Sequence, residues 1–453
     1  QQAEPAMLAA AGGPMSSTVH VHQMFHAVGH GTFFTGMIDS DQGNQFHWIY
    51  DCGSKRPTRV IAEMDGLEAW PRWAHDKDLD LLVVSHFDND HVNGLEELLR
   101  RHRVRYLALP YIGLRDRLGL AASLGGDDVA SAATSLFSLD PIRYLESRGL
   151  TNRVDTIVMI QGGKGEGVGD NSYDWPGPDK APEQFERTRG AGGSGLEEEY
   201  GITSSSSDGP RTTVWPHQLP LRAGLFPLEF TFFNTALPGT VANRSKATLP
   251  EIRADVETVL QRYRLLDPTQ SPKRDWRQSL RACYEKHFGS GGPERNNISL
   301  CVLVRPFCND VEQCGLFSGC SLGEGIWVWE VPVVPEEPRA LLLTGDLALN
   351  PKSISEMRRH FQDWRWREIA VAQVPHHGSQ HSWERGNAAL FPGPAFVHCI
   401  PTSSRGNHHP HTDVVADLAG QLVLTSTYEQ CVVHAYHFEW PHPLTLGPGY
   451  RGR

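Results

Sequence analysis

The chain of 453 residues carries 42 Lys and Arg against 53 Asp and Glu, which gives a formal net charge of −11. This acidic balance argues against a broad basic surface that grips long duplex DNA, although it leaves room for a local basic cleft. The chain is 39% apolar with no membrane-length apolar run, and its eight Cys are scattered, so we expect a globular cytoplasmic protein with reduced thiols and no membrane span.

The first part of the fold is predicted over residues 18–160, after a flexible tail over residues 1–17. A continuous apolar run, Leu79–Ser85, is typical of a strand that is buried on both faces of a layered α/β core. The segment Asn93–Arg101 behind it predicts a helix with leucines on one side. The other predicted strands are Val19–His26, Thr32–Ile38, Gln45–Tyr50, Val104–Leu109 and Asp155–Ile160.

The middle of the chain changes in composition. Residues 161–215 are rich in Gly, Ser, Asp and Glu, which favours a flexible surface insertion over a folded domain. Residues 216–295 are predicted to form a mixed insert. It holds a strand over Leu225–Asn234 and polar helices over Pro250–Leu266 and Pro272–Phe288.

Alternation of strands and helices resumes over residues 296–453, the second predicted half of the fold. Helices are predicted near Ser353–Asp363 and Asp413–Leu422. The predicted strands are Ile298–Arg305, Gly325–Val334, Ala340–Thr344, Glu368–Val374, Ala395–Ile400 and Gln430–Phe438. Two β-rich halves that each carry helices predict a layered α/β sandwich interrupted in its middle.

The first cluster of chemically active side chains follows the predicted strand Leu79–Ser85. Within six residues the loop offers four side chains that bind metals: His86, Asp88, Asp90 and His91. Carboxylates offset the charge of a divalent cation, and imidazoles add nitrogen ligands. A solvated polar turn is the alternative, but four such side chains behind one buried strand favour a metal site.

Three further predicted strand ends carry the same kinds of side chain. Asp346 ends the run Leu341–Asp346, and the pair His376 and His377 follows the strand Glu368–Val374. The fourth set, His408, His409 and His411, follows Ala395–Ile400. Active sites in layered α/β folds gather at strand ends, so we expect these four sets to share one site.

These motifs resemble those of the metallo-β-lactamase superfamily. The superfamily's His-x-His-x-Asp-His signature has its counterpart in His86-x-Asp88-x-Asp90-His91, with Asp in place of the second His. More narrowly, the order of motifs is similar to the hydrolase domain of ComEC competence proteins. The matching positions are Val28, Gly29 and Gly31; Asp51 and Gly53; Asn297 and Ser299; Leu343 to Asp346; Val374 to Ser379; and His409 to His411.

The resemblance implies a four-layer αββα sandwich with a large central insertion and two divalent metal ions, Zn or Mn. His86 and Asp88 would hold one ion, Asp90 and His91 the other, and Asp346 would bridge them. His409 or His411 would complete the second position. His376 or His377 could bind metal, or could stabilise and protonate the leaving oxygen. No histidine between residues 92 and 345 stands in the context of the superfamily's third motif.

The resemblance implies a metal-dependent hydrolase that uses an activated water, with Asp90 orienting that water. We expect a phosphodiesterase or nuclease acting on DNA, RNA or nucleotides, and the acidic charge favours single strands and short substrates. Hydrolysis of a non-nucleic-acid ester, thioester or amide is one alternative, and a degenerate metal-binding interaction subunit is another. We expect the inserts over residues 161–295 to cover the cleft or to dock a protein partner.

Overall fold

The computed structural model describes residues 17–70, 73, 78–123, 129–162, 209–223, 226–235, 247–289, 298–306, 311–320, 328–331, 340–400 and 409–440. The predicted N-terminal tail, most of the predicted Gly/Ser-rich insertion, Asn297 and His408 lie outside these residues. The predicted domain boundaries therefore stay a prediction.

Seventeen strands are described, and they form two sheets. The strands are β1 (Ser17–Phe25), β2 (Phe33–Ser40), β3 (Gln45–Cys52), β4 (Leu79–Val83), β5 (Val104–Pro110), β6 (Val154–Gln161), β7 (Arg211–Pro216), β8 (Leu221–Arg222), β9 (Leu228–Asn234), β10 (Leu300–Pro306), β11 (Val311–Cys320), β12 (Val328–Val331), β13 (Ala340–Leu343), β14 (Ile369–Gln373), β15 (Ala395–Cys399), β16 (Val423–Ser426) and β17 (Gln430–Trp440).

The first sheet has ten strands in the order β12-β11-β17-β1-β2-β3-β4-β5-β6-β7, and the second has seven in the order β16-β15-β14-β13-β10-β9-β8. Strands β3 to β7 run parallel in the first sheet, as do β13 to β16 in the second. Each parallel group therefore brings its carboxyl ends to one edge of its sheet. β1 and β17 pair antiparallel along their whole length, so the two predicted halves share the first sheet.

The described helices lie between these strands along the chain. They are α1 (Pro57–Glu68), α2 (Asn89–Val92), α3 (Leu95–Arg101), α4 (Leu114–Ser123), α5 (Val129–Leu139), α6 (Pro141–Ser147), α7 (Leu249–Arg262), α8 (Trp276–Phe288), α9 (Pro351–Phe361), α10 (Asp363–Arg367) and α11 (Thr412–Asp417). No helix of the described ranges is long and apolar enough to cross a membrane.

Buried apolar side chains form three clusters. These clusters lie between four layers, which are helices, the first sheet, the second sheet and helices again. Along β4, Leu82 packs outward against helices such as α1 and α3, whereas Leu81 and Val83 pack against the second sheet. Along β13, Leu341 and Leu343 meet the first sheet, while Leu342 packs outward against helix α9. Because strand side chains alternate between faces, apolar runs of this kind fill a core on both sides. The predicted αββα sandwich is confirmed.

Several elements differ from the sequence-based predictions. Strand β7, at the end of the segment predicted as a flexible insertion, pairs with the first sheet, and strand β9, near the start of the predicted mixed insert, pairs with the second. Helix α11 ends at Asp417 instead of near Leu422. The chain turns at Gly420, which has a φ of 115°, a conformation that ends helices and favours glycine. The described part of the predicted strand Gly325–Val334 is limited to Val328–Val331.

Candidate metal centre

The predicted site residues lie where the carboxyl ends of both parallel groups meet. The backbone amide of Leu300, at the start of β10, donates to the carbonyl of Ser85 just after β4, at 2.8 Å. Gly345, two residues after β13, lies so close that a Cβ there would stand 2.9 Å from the Ser85 Cβ. Its φ of +55° also favours glycine. The loops after β4, β13 and β14 therefore converge on one pocket between the sheets.

Six of the predicted site residues take part in groups whose ligand atoms lie within 4.8 Å of one another. Asp346 is central. Its Oδ2 lies 3.5 Å from Nε2 of His86, and its Oδ1 lies 3.2 Å from Nε2 of His91. The grouped residues among those predicted are His86, Asp88, Asp90, His91, Asp346 and His377. The two oxygens of Asp346 thus face two different histidines, as a bridging carboxylate would.

The paired histidines after β14 differ in their surroundings. His377 is buried, with its side chain 1% exposed, and its Nε2 lies 3.7 Å from Oδ2 of Asp90. The side chain of His376 is 23% exposed, and its Nε2 lies 3.6 Å from Oδ2 of Asp346. Among the described residues only His377 of this pair belongs to a ligand group. The two side chains are therefore suited to different roles.

His409 and His411 do not belong to any ligand group of the described residues. The His409 ring lies beside the cluster, 5.7 Å from the ring centres of His30 and of His376. The His411 Nδ1 accepts a hydrogen bond from the backbone amide of Asp413, which places it at the start of helix α11. Of the two alternatives from the sequence, His409 is thus the one at the cluster.

The histidines of the cluster use their Nδ1 atoms to contact the rest of the protein. Nδ1 of His91 pairs with Asp51, and Nδ1 of His377 donates to the backbone carbonyl of Cys399, at 2.8 Å and 2.7 Å. Nδ1 of His86 lies 2.8 Å from the hydroxyl of Ser85. A carbonyl oxygen can only accept a hydrogen bond, so the proton of His377 is on Nδ1. Its Nε2 therefore carries a lone pair that is not used by this hydrogen bond. Ligating histidines are held in this way in metal sites.

The ligand atoms on the other side of these side chains fit a metal ion. Within the described part of the chain, four buried atoms have no hydrogen-bond partner: Nε2 of His86, His91 and His377, and Oδ1 of Asp346. Leaving one such group unsatisfied costs about 1–3 kcal/mol, so four that face the same pocket are costly without a bound cation. The residues present therefore fit the divalent metal that their chemistry suggests.

Two residues of the cluster were not predicted as site residues. Asp51 lies at the end of β3, accepts hydrogen bonds from the backbone amide and hydroxyl of Ser85, and holds His91. His30 lies between β1 and β2 and forms a ligand group with Asp90 and His377. The turns Val28–Gly31 and Asp51–Ser54 were signals in the sequence, but only the fold shows that both lie against the metal loop.

Three non-glycine residues of the site have a left-handed backbone. Asp51, His376 and His377 have φ values of 56°, 46° and 55°. This region costs an ordinary residue about 1–2 kcal/mol, and it persists where the surroundings hold it in place. In the two histidines the consecutive left-handed residues let adjacent side chains reach different parts of the cluster.

Charges in the pocket oppose the effect of burial. Burial alone would raise the pKa of Asp346, but the nearby His91 and His86 outweigh it and hold that pKa well below its usual range. Burial likewise disfavours protonated His91, yet Asp346 and Asp51 raise its pKa well above the ordinary value. Asp346 is therefore ionised. The negative charge around His91 is the kind of field that also attracts a cation.

The other side of the pocket favours neutral imidazoles. Burial, followed by the proximity of His377, lowers the pKa of His30 to about 2. Burial and the neighbouring histidines lower the pKa of His409 to about 4. Although burial opposes it, the neighbouring His377 and His91 lower the pKa of Asp90. A neutral imidazole and an ionised carboxylate are the states that bind metal.

Comparison with known proteins gives a family-model match over part of the chain. The family model described as the metallo-beta-lactamase superfamily matches residues 38–203, which include the loop from His86 to His91. A comparison with curated proteins gives no significant match.

Three solved structures are similar to the chain. The metallo-beta-lactamase fold protein YhfI from Bacillus subtilis is 9% identical, with a TM-score of 0.33, over 93% of this chain and 100% of that one. A long form RNase Z from yeast is 7% identical, with a TM-score of 0.28, over 78% of this chain and 32% of that one. The Rm3 metallo-beta-lactamase is 24% identical, with a TM-score of 0.14, over 23% and 38%.

The four layers and the His/Asp cluster at the strand ends define a class of metal-binding α/β sandwich proteins. Over residues 38–203 the chain matches the metallo-β-lactamase superfamily, and the layered fold and the His/Asp cluster described above agree with that match.

Proposed function

We propose that the chain is a metal-dependent phosphodiesterase that cleaves DNA or RNA, as the motif resemblance to ComEC-type hydrolase domains suggests. The proposal rests on one observation about Asp346. One of its carboxylate oxygens faces His86 and the other faces His91. A carboxylate shared in this way suits two adjacent ions, the arrangement that clamps both oxygens of a phosphoryl displacement. The ligand set includes three aspartates, which matches Zn²⁺ or Mn²⁺.

His86, Asp88 and Asp346 would hold the first ion. Asp90, His91, Asp346 and His377 would hold the second, since His377 lies within reach of both Asp90 and Asp346. Bound ions would act as Lewis acids and would make a water molecule nucleophilic near neutral pH.

The other polar side chains of the site would have separate roles in hydrolysis. The ionised carboxylate of Asp90 accepts a hydrogen bond from the attacking water and so orients it. The partly exposed His376 lies at the open side of the cluster, where its imidazole would pass the proton released by the attacking water to the leaving oxygen. The hydroxyl of Ser382 lies 2.9 Å from Nδ1 of His376 and holds that ring in place. His409, beside His376, is the second imidazole on this open side.

A cation at the rim supports an anionic substrate. Lys55 is exposed, and its charge is close enough to His30 and His409 to lower the pKa of both. A lysine in that position attracts a phosphate to the pocket. The overall charge of −11 favours single strands or short oligonucleotides over long duplex DNA.

The test is hydrolysis of labelled single- and double-stranded DNA and RNA with added Mn²⁺ or Zn²⁺, comparing wild type with Asp346→Asn. We expect cleavage by wild type and a loss of about 10³-fold or more in the variant, since one carboxylate serves both ions. Asp80→Asn is the matched control, because Asp80 is a carboxylate of β4 that accepts from the backbone of His47, outside the ligand groups. It should cleave as wild type does.

Other outcomes would contradict the proposal. Metal binding without cleavage of any of these polymers would point to a different ester, a thioester or an amide as the substrate. Metal binding without turnover of any of these bonds would point to an interaction subunit.

A further inference from the structure

His30 lies inside the cluster, although it comes from the turn between β1 and β2. Its side chain is 2% exposed, and its Nε2 lies 3.5 Å from Oδ2 of Asp90. Its ring centre lies 4.4 Å from that of His377. Among the residues that the structure describes, none forms a hydrogen bond with the buried Nδ1 of His30. The hydrogen bonds within these residues therefore do not account for this buried imidazole.

The turn that carries His30 is fixed against the metal loop. The backbone amide of Thr32 donates to the carbonyl of Asp90 at 3.1 Å, and the amide of Lys55 donates to the carbonyl of His30 at 2.7 Å. A Cβ on Gly31 would stand 2.8 Å from the Asp90 carbonyl oxygen, so glycine permits this close approach. These contacts hold the backbone that carries His30 against the metal loop.

The distances around Asp90 match those between ligands of one ion. Zinc binds nitrogen and oxygen at about 2.0–2.1 Å in a tetrahedron, so neighbouring ligand atoms lie about 3.3–3.5 Å apart. Nε2 of His30 and Nε2 of His377 lie 3.5 Å and 3.7 Å from Oδ2 of Asp90. Hydrogen bonds between nitrogen and oxygen are shorter, typically about 2.7–3.2 Å. The three atoms are too far apart for good hydrogen bonds and well placed to share a cation.

We propose that His30 is a protein ligand of the second metal position. His377 belongs to two ligand groups, one with His30 and Asp90 and one with His91 and Asp346. Its Nδ1 is occupied by the Cys399 carbonyl, so both groups use the same Nε2. One imidazole nitrogen binds one ion, and the two groups therefore surround a single position. This proposal depends on the metal centre and does not depend on the substrate being nucleic acid.

The test measures metal binding directly in the full chain. Metal-free wild type and His30→Asn are titrated with Zn²⁺ against a coloured chelator, and the bound metal is counted by mass spectrometry. Wild type should bind two equivalents. His30→Asn should keep the first and weaken the second by about 100-fold or more, because loss of a group that merely orients a ligand already costs about 10–100-fold. Titration with Co²⁺ should show an altered visible absorption of the second equivalent.

His102→Asn is the matched control, since His102 is equally buried but pairs with Glu68 outside the cluster. It should bind both equivalents as wild type does. Thermal unfolding of the metal-free proteins shows whether His30→Asn folds, and His30→Gln, with a longer side chain, serves as a second variant.

Unchanged binding of the second equivalent in a folded variant would overturn the inference. So would equal weakening of both equivalents, which would mean that His30 supports the pocket as a whole. If wild type bound no metal, the metal centre itself would be wrong. If wild type bound two ions without cleaving nucleic acid, only the proposed substrate would fail.

Discussion

The Oδ2 atom of Asp51 lies 2.8 Å from Nδ1 of His91, and both side chains are fully buried. The same oxygen accepts the hydroxyl of Ser85, while Oδ1 accepts the Ser85 amide. A carboxylate without a proton holds the His91 proton on Nδ1 and leaves Nε2 to face Asp346. The orientation of one candidate ligand thus depends on a residue that contacts no substrate.

Asp51→Asn should weaken metal binding by about 10–100-fold, because an amide cannot accept all three hydrogen bonds and no longer fixes the His91 tautomer. The measurement is a metal titration at constant pH, followed by activity at saturating metal. Asp80→Asn should bind metal as wild type does. An Asp51→Asn protein with full affinity would show that Asp51 does not position His91.

Gly31→Ala should destabilise the protein and disturb the metal loop. The added Cβ would meet the Gly53 carbonyl oxygen at 2.4 Å with a φ of +149°, so the backbone must shift. We expect a loss of about 3 kcal/mol or more in the free energy of unfolding, since strain adds to steric conflict. Gly43→Ala is the control: its φ is also positive but nothing lies within 4 Å, so it should lose about 1–2 kcal/mol. Urea unfolding compares the two, and equal losses would contradict the close approach.

His434 should make the metal-free protein less stable in acid. Burial lowers its pKa to about 4, below the value of about 6.5 for an unfolded histidine. Between these values the unfolded chain binds more protons, so stability is complete above pH 6.5 and falls as the pH drops towards 4. The loss from this residue is at most about 3 kcal/mol. Denaturant unfolding from pH 7.5 to 4 should show a shallower decline for His434→Gln, and parallel curves would disprove the assignment.

Lys55→Ala should raise the KM for an oligonucleotide about fivefold and leave kcat nearly unchanged, because a rim cation attracts the substrate without touching the reacting bond. The slope of log affinity against log salt concentration should also become shallower by about one. The control is Lys273→Ala, an exposed lysine just ahead of helix α8. A fall in kcat with unchanged KM would place Lys55 in the reaction instead.

Much of the fold could be predicted because its strands are continuous apolar runs that end in chemically distinctive loops. Leu79–Val83, Ala340–Leu343 and Ile369–Gln373 were each recognisable by apolar, β-prone composition, and each delivers residues to the cluster. Parallel strands bring their carboxyl ends together, so shared strand-end chemistry predicted a shared site. Strands such as β7 were missed because a short, polar segment at the edge of a sheet, such as Arg211–Pro216, gives little signal in the sequence. Its place in the sheet is decided by its pairing with β6.

His30 and Asp51 could not be identified as part of the centre from local pattern. His30 lies in a Gly-containing turn and Asp51 at the end of β3, and the neighbours of both are set by the pairing of β1, β2 and β3, a relation between distant residues. His411 shows the opposite case: its position in a His-Pro-His run resembles a ligand, yet its side chain accepts from the backbone of helix α11. The prediction for His411 as a ligand remains a prediction.

The pairing of β1 with β17 has a consequence for how the protein forms during synthesis. The turn that carries His30 follows β1, and β1 lies in register with a strand that is made more than 400 residues later. Until residues 430–440 leave the ribosome, β1 has an exposed edge and the sheet remains open. Contacts between such distant residues slow folding and leave strand edges available for association. A nascent chain stalled before β17 should therefore be prone to aggregation and should lack the completed sheet that supports the metal pocket.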